Sequence, residues 1–186
     1  MVLIEKHRSK LRILNLLIIV LLVLPFLSFE LPKHIQKKMD KEIKAVFKIE
    51  TFELESRTFP EGVTELIPSE FGDSNLYEIK LDSELLGFAY LGEAPSKTDT
   101  FDYLILFDQN FVIRKTKVLI YREDYGGEIG SKRWLRQFNG RSTSDALELH
   151  KDIMAISGAT ISVRSMTKAV NDVLRSLKIL RQKQML

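Results

Sequence analysis

Six consecutive residues hold the sequence's clearest opening for chemistry: Ser157-Gly158-Ala159-Thr160-Ile161-Ser162. Two small residues precede a hydroxyl residue, and a helical pattern starts straight after. Gly158 and Ala159 let a bulky group approach the backbone closely. A helix start offers unpaired N–H groups and the positive end of a dipole to a phosphate. Thr160 and Ser162 add hydroxyls at that spot. The same residue types also serve a plainer end, because Ser and Thr commonly cap helices. The residues by themselves leave both readings open.

Composition removes most competitors. The chain has 186 residues, no Cys and three scattered His (His7, His34, His150). That excludes disulfides, thiolate zinc sites, iron–sulfur clusters and a catalytic thiol, and argues against a His-rich metal centre. No Ser-His-Asp set or phosphate-binding nucleotide loop stands out. The basic balance comes largely from residues 1–30, where Lys6, Arg8, Lys10 and Arg12 face Glu5 and Glu30. The rest is nearly neutral, so no nucleic-acid surface is implied.

The elements that must position the motif follow from periodicity. Residues 13–29 carry no charge, and seventeen residues of helix span roughly 25 Å, the short end of a bilayer crossing. The cationic cluster Lys6–Arg12 precedes them and Phe26-Leu27-Ser28-Phe29-Glu30 lacks a small-x-small cleavage site. The expectation is a basic cytoplasmic tail at 1–12, an uncleaved signal anchor at 13–30 and an extracytoplasmic body. A cleaved signal and a buried core helix are the alternatives.

Residues 34–47 place Ile35, Met39, Ile43, Val46 and Phe47 on one helical stripe after Pro32, and 49–55 have strand-like composition. A loop with Pro60, Gly62, Pro68 and Gly72 closes this helix and linker region, 31–72. From 73 to 186 the pattern predicts one domain. Its strands are 76–81, 85–91, 103–107 and 111–121, joined by short connections as in an antiparallel meander. Next come the glycine loop Tyr125-Gly126-Gly127-Glu128-Ile129-Gly130, a short helix 132–138 capped by Ser131, and a C-terminal helix over about 162–182. The fold class expected is α+β, an antiparallel sheet with flanking helices preceded by one transmembrane helix.

With these elements in place, the chain resembles the FMN-binding domain family shared by the RnfG and NqrC subunits of membrane redox pumps and by NosR-type regulators. The resemblance rests on Ser157-Gly158-Ala159-Thr160, then a small hydroxyl residue, Ser162, in a helix. It extends to the glycine loop, to Trp134, Phe138 and Gly140, and to the strand pair at 87–90 and 102–106, so it covers about 75–180. It implies that FMN is the cofactor, joined by a phosphoester from its ribityl phosphate to the oxygen of Thr160. Ser157, Gly158, Ala159 and Ser162 would complete the phosphate end. Glu123, Tyr125, Gly126 and Gly127 would approach the isoalloxazine. Arg164 is a candidate phosphate partner, and Trp134 is placed in the core rather than on the flavin. One departure stands out: family members usually carry Asp three residues before the motif's Ser, and here that residue is Met154, with Asp152 the nearest acid.

What the resemblance implies is a membrane-anchored flavoprotein working in electron transfer outside the cytoplasm. It would be matured by a flavin transferase and would exchange electrons with a redox partner protein or a quinone. A redox-sensing or regulatory binding module is the alternative, as the NosR-type likeness allows. An electron-transfer flavoprotein or subunit fits better than a stand-alone enzyme.

Overall fold

Side-chain alternation fixes the sheet and its two coverings. Tyr103, Leu104, Ile105, Leu106 and Phe107 are all buried, so the strand that carries them has no wet face and must be covered on both sides. The structure, a computed structural model, describes residues 31–60 and 62–186 and arranges them to do this. The basic tail and the apolar run expected at 1–30 lie outside the described residues. Among the described residues no helix is long and apolar enough to cross a membrane.

Residues Leu31–Leu186 form one unit. Helix α1 spans Lys33–Phe47. Strands β1 (Glu53–Ser56), β2 (Leu76–Leu81), β3 (Glu84–Pro95), β4 (Thr100–Asp108) and β5 (Ile113–Tyr121) follow. They pair in chain order, each antiparallel to the next, as a five-stranded meander. After β5 come a 3-10 turn at Gly127–Gly130, helix α2 at Lys132–Leu135 running into a 3-10 turn at Arg136–Phe138, and helix α3 at Thr160–Gln182. The expected α+β class and antiparallel sheet are therefore present.

The strands of the meander send alternate side chains to opposite helices. Tyr77, Ile79, Ala89, Leu91, Leu104, Leu106 and Leu119 pack with Ile35, Met39 and Ile43 of α1. Phe88, Tyr90, Tyr103, Ile105, Phe107 and Val118 pack with Val163, Met166, Val170, Val173, Leu174 and Leu177 of α3. The segment between β1 and β2 adds Val63, Ile67 and Phe71 to the α3 side. Helix α1 runs opposite to β5, because Lys38 Nζ donates to the carbonyl of Leu119 (2.7 Å) while Glu42 pairs with Lys115.

Several boundaries differ from the sequence reading. Helix α3 begins at Thr160, two residues earlier than expected, so Thr160 itself is its first residue. Strand β5 begins at Ile113 rather than Phe111, because Phe111 takes a left-handed backbone (φ 60) in the tight turn closed by Asp108. Strands β3 and β4 run on to Pro95 and back from Thr100, because Ala94 and Phe101 continue the buried alternation. Ser131 does cap α2, accepting from the Trp134 N–H.

Met39 is fully buried at the centre of the α1 stripe. Met39→Ala is expected to lower unfolding free energy by about 2–5 kcal/mol, the usual cost of such a cavity. Urea unfolding of the purified chain reads this directly. A change below about 0.5 kcal/mol, typical of an exposed surface site, would mean that α1 is an appendage rather than a wall of the core.

Candidate functional site

The motif at 157–162 forms a tight turn into α3. The Ala159 N–H donates to the carbonyl of Ile156 (3.2 Å), and the Val163 N–H to that of Ala159 (2.9 Å). Gly158 sits at φ +85, and a Cβ built on it would meet nothing within 4 Å. Glycine is therefore demanded here by backbone conformation and not by crowding within the protein. The residue at the cap position is Ala159, and no side chain caps the helix. This overturns the plainer reading, in which Thr160 or Ser162 spends its hydroxyl on capping. Among the described residues no acceptor takes the N–H of Thr160, Ile161 or Ser162, the first turn of α3.

The hydroxyl residues divide by role. Ser157 and Thr160 are exposed, and neither side chain is hydrogen-bonded among the described residues. Ser162 is buried and holds the phenol of Tyr121 at 2.9 Å. The same phenol donates to the carbonyl of Tyr125 (3.0 Å). A Cβ built on Gly126, at φ +84, would lie 2.7 Å from the Tyr121 hydroxyl and 3.6 Å from Ala159 Cβ. Glycine is required there, and its absence of a side chain lets the loop close onto both the phenol and the motif. Tyr121 thus pins the glycine loop to the start of α3. The sequence reading treated Tyr121 only as a strand end; the signal that marked it was its position four residues before Tyr125, at the last residue of β5.

Exposed apolar side chains gather around this turn. Tyr125 is 85% exposed, Met154 64% and Ile161 47%, and among the described residues Leu66 is the other large exposed hydrophobic. Trp134 is buried, as expected, and its Nε1–H donates to the carbonyl of Met154 (2.7 Å), while Gln137 accepts from the Met154 N–H (2.8 Å). The backbone of Met154 is therefore fixed and its side chain faces outward. A cleft of about 430 Å³ lies beside it, walled by Trp134, Gln137, Met154 and Ile156. Asp152 does not substitute for an acid at 154, because its carboxylate accepts from the Glu148 N–H (3.0 Å) inside its own turn. Arg164 is exposed one turn beyond Thr160 on the same helix side. His150, at φ 72, only shapes that turn.

Glu123 is used differently from the expectation. One of its oxygens accepts from Ser96 Oγ (2.5 Å), Thr98 N (2.6 Å), Asp99 N (3.2 Å) and Thr98 Oγ1 (3.3 Å), stapling the β3–β4 loop. These donors, the Ser96 hydroxyl first, pull its pKa from 4.5 to about 2. Tyr125 and Gly126 come to the α3 start through Tyr121, and Gly127 lies beside the Tyr121 ring. Among the described residues no hydrogen bond ties Glu123 to the α3 start.

An exposed hydroxyl at the first position of an uncapped helix, beside a conformationally forced glycine and an exposed apolar rim, defines a domain suited to hold a phosphate-bearing, flat aromatic cofactor. Residues 97–175 match the family described as FMN-binding domain, from the β3–β4 loop into α3. Over that stretch the chain is consistent with that family, and the match indicates FMN as the cofactor. The match includes the glycine loop and the whole 157–162 turn, while α1, β1, β2 and β3 precede it. No curated protein matches the chain.

Two outcomes are expected. Because the Glu123 pKa is depressed, its hold on the loop is complete above about pH 4.5 and is lost as pH falls through about 2. Amide exchange at Thr98 and Asp99 should stay slow down to about pH 3, and Glu123→Gln should quicken it already at neutral pH. Gly158→Val should cut flavin loading sharply with little change in far-UV circular dichroism, because a β-branched residue resists φ +85. Full loading of that variant would contradict the role given to the turn.

Proposed function

We propose that this protein is a membrane-anchored electron-transfer flavoprotein whose FMN is bonded through its phosphate to Thr160. The observation that carries the reading is Thr160 itself, an exposed and unengaged hydroxyl at the first position of an uncapped helix inside an FMN-binding domain. In the linkage, a flavin transferase presents the flavin with its phosphate activated as a diphosphate ester; Thr160 Oγ1 bonds to the flavin-side phosphorus, the P–O bond to the second phosphate breaks, that phosphate ester leaves, and the hydroxyl proton passes to solvent, so the chain gains FMN less water. The first-turn N–H groups of α3 and the exposed Arg164 then face the phosphate. Ser157 stands beside the bond, and Ser162, held by Tyr121, keeps the turn in place. Bound flavin supplies one- or two-electron redox chemistry; the protein holds it, orients it and sets its exposure.

The uncharged run 13–29 supports anchoring, and the cations at 6–12 support a cytoplasmic N-terminus with the domain outside. The lysines of α1 flank the other end of the run. They lie within the stretch that the charge rule counts and pull against that orientation, which rests on the cluster at 6–12 immediately beside the run. A redox partner protein or a quinone would then take or give the electrons. The sensing alternative has no separate observation in its favour.

Intact mass of chain produced with a flavin transferase tests the bond. The expected gain is one FMN less water, on the order of 440 Da, with flavin fluorescence surviving denaturation. Thr160→Ala should lose both signals and Ser157→Ala should keep them. Met154→Asp should raise occupancy where the transferase reads a carboxylate at that place. A wild-type chain that binds added FMN reversibly and never gains the mass would refute the covalent link and leave the FMN-binding domain standing.

A further inference from the structure

Helix α1 carries a one-sided charge that the core does not explain. Residues 33–48 contain six lysines against Asp40 and Glu42, whereas the remainder of the chain beyond residue 30 has more acidic than basic residues. Lys33, Lys37, Lys41 and Lys44 follow one another at one-turn spacing on the side of the helix opposite Ile35, Met39 and Ile43, Lys48 stands at its C-cap in a left-handed backbone, and all five are exposed. Like charges three and four residues apart repel each other. Relief within the protein is slight. Glu42 is committed to Lys115, Asp40 is partly buried near Lys44, and Lys38 bonds the Leu119 carbonyl. Among the described residues none of the six lysines forms an ion pair. The first turn adds to the imbalance: it has Lys33 and no acid, and Pro32 caps it without a side-chain acceptor, so cations sit at the positive end of the dipole.

We propose that this lysine stripe lies on the anionic phospholipid headgroups of the membrane. The inference rests on the reading of residues 13–29 as an anchor. Phe29 and Lys33 are four residues apart, a reach of at most about 14 Å, so an anchored chain brings the first lysine of the stripe to the headgroup layer, and the others reach it where the helix lies along the surface. Four exposed cations on one helix face and a fifth at its end suit that layer wherever the leaflet they meet, the extracytoplasmic one in the orientation proposed above, carries anionic lipid, because lysines near such a surface are drawn to it individually and their effects sum. An acidic protein surface is the other possible occupant. Lipid is favoured because the anchor brings it within reach of the stripe and no partner is needed.

The test uses the full chain in vesicles of phosphatidylcholine alone and in vesicles containing phosphatidylglycerol, treated with a membrane-permeant amine reagent and read by mass spectrometry. Lys33, Lys37, Lys41, Lys44 and Lys48 should label several-fold more slowly in the anionic vesicles, and high salt should erase the difference. Lys178 and Lys183, exposed at the C-terminal end of α3, should label equally in both. The triple variant Lys37→Gln, Lys41→Gln, Lys44→Gln should lose the contrast at Lys33 and Lys48. Equal labelling of the wild-type stripe in the two vesicles overturns the proposal. Protection in native membranes but not in anionic vesicles overturns it in favour of an acidic protein. Release of the chain from neutral vesicles by alkaline carbonate overturns the anchor instead, and is read separately from the labelling.

Discussion

Strand β4 has no polar face, and the rest of the architecture answers that constraint. Tyr103, Ile105 and Phe107 need one cover and Leu104 and Leu106 another. Helix α3 provides the first and α1 the second. Because α3 must run the length of the sheet from the end that carries Tyr121 to the end that carries Asn110, its start is delivered to the last residue of β5. The motif is therefore placed by core packing, and little of its position depends on contacts made by the motif itself.

Local polar ties refine that placement. The Tyr121 phenol bridges Ser162 on α3 and the carbonyl of Tyr125, and Gly126 exists as glycine so that the bridge can close. Trp134 and Gln137 hold the backbone of Met154 from the other side. Glu123 fixes the neighbouring loop at 96–99 through one oxygen. None of these groups needs to touch the cofactor. Together they immobilise a turn whose own residues are mostly exposed, which is how a surface site gains definite geometry.

Much of this was legible in the sequence, for identifiable reasons. Period-two runs at 76–81 and 103–107 and the 3.6 stripes of α1 and α3 are dictated by burial, so strands, helices and their inner faces could be read directly. Strand ends were less legible, because continuation of β3 to Pro95 depends on pairing with Thr100, a partner the local pattern does not reveal. The left-handed backbone of Phe111 was hidden for the same kind of reason: Asp108 closes that turn through contacts across four residues. Within the site, residue types identified the turn, but not which hydroxyl was free. The family resemblance already set Thr160 apart from Ser162; tertiary structure adds the physical reason, since Tyr121 takes Ser162 while among the described residues no side-chain hydrogen bond takes Thr160. That one oxygen of Glu123 is taken by the loop at 96–99 was likewise visible only in tertiary structure.

The exposure of this turn bears on how FMN is to be kept. Small-molecule sites that rely on affinity alone enclose most of the ligand, because burial has to offset the lost freedom of binding. Ser157, Gly158 and Thr160 are exposed, and Tyr125, Met154 and Ile161 form a rim rather than an enclosure. A shallow site of this kind gives a non-covalent flavin little surface to bury. A bond to Thr160 removes that requirement, since retention then no longer depends on enclosure. Under the proposed electron-transfer role, the flavin would then stay open to a redox partner. Exposure that weakens the case for a reversible binding pocket therefore strengthens the case for a tethered carrier, and it makes the conformation of a single glycine-led turn matter more than the depth of any cavity.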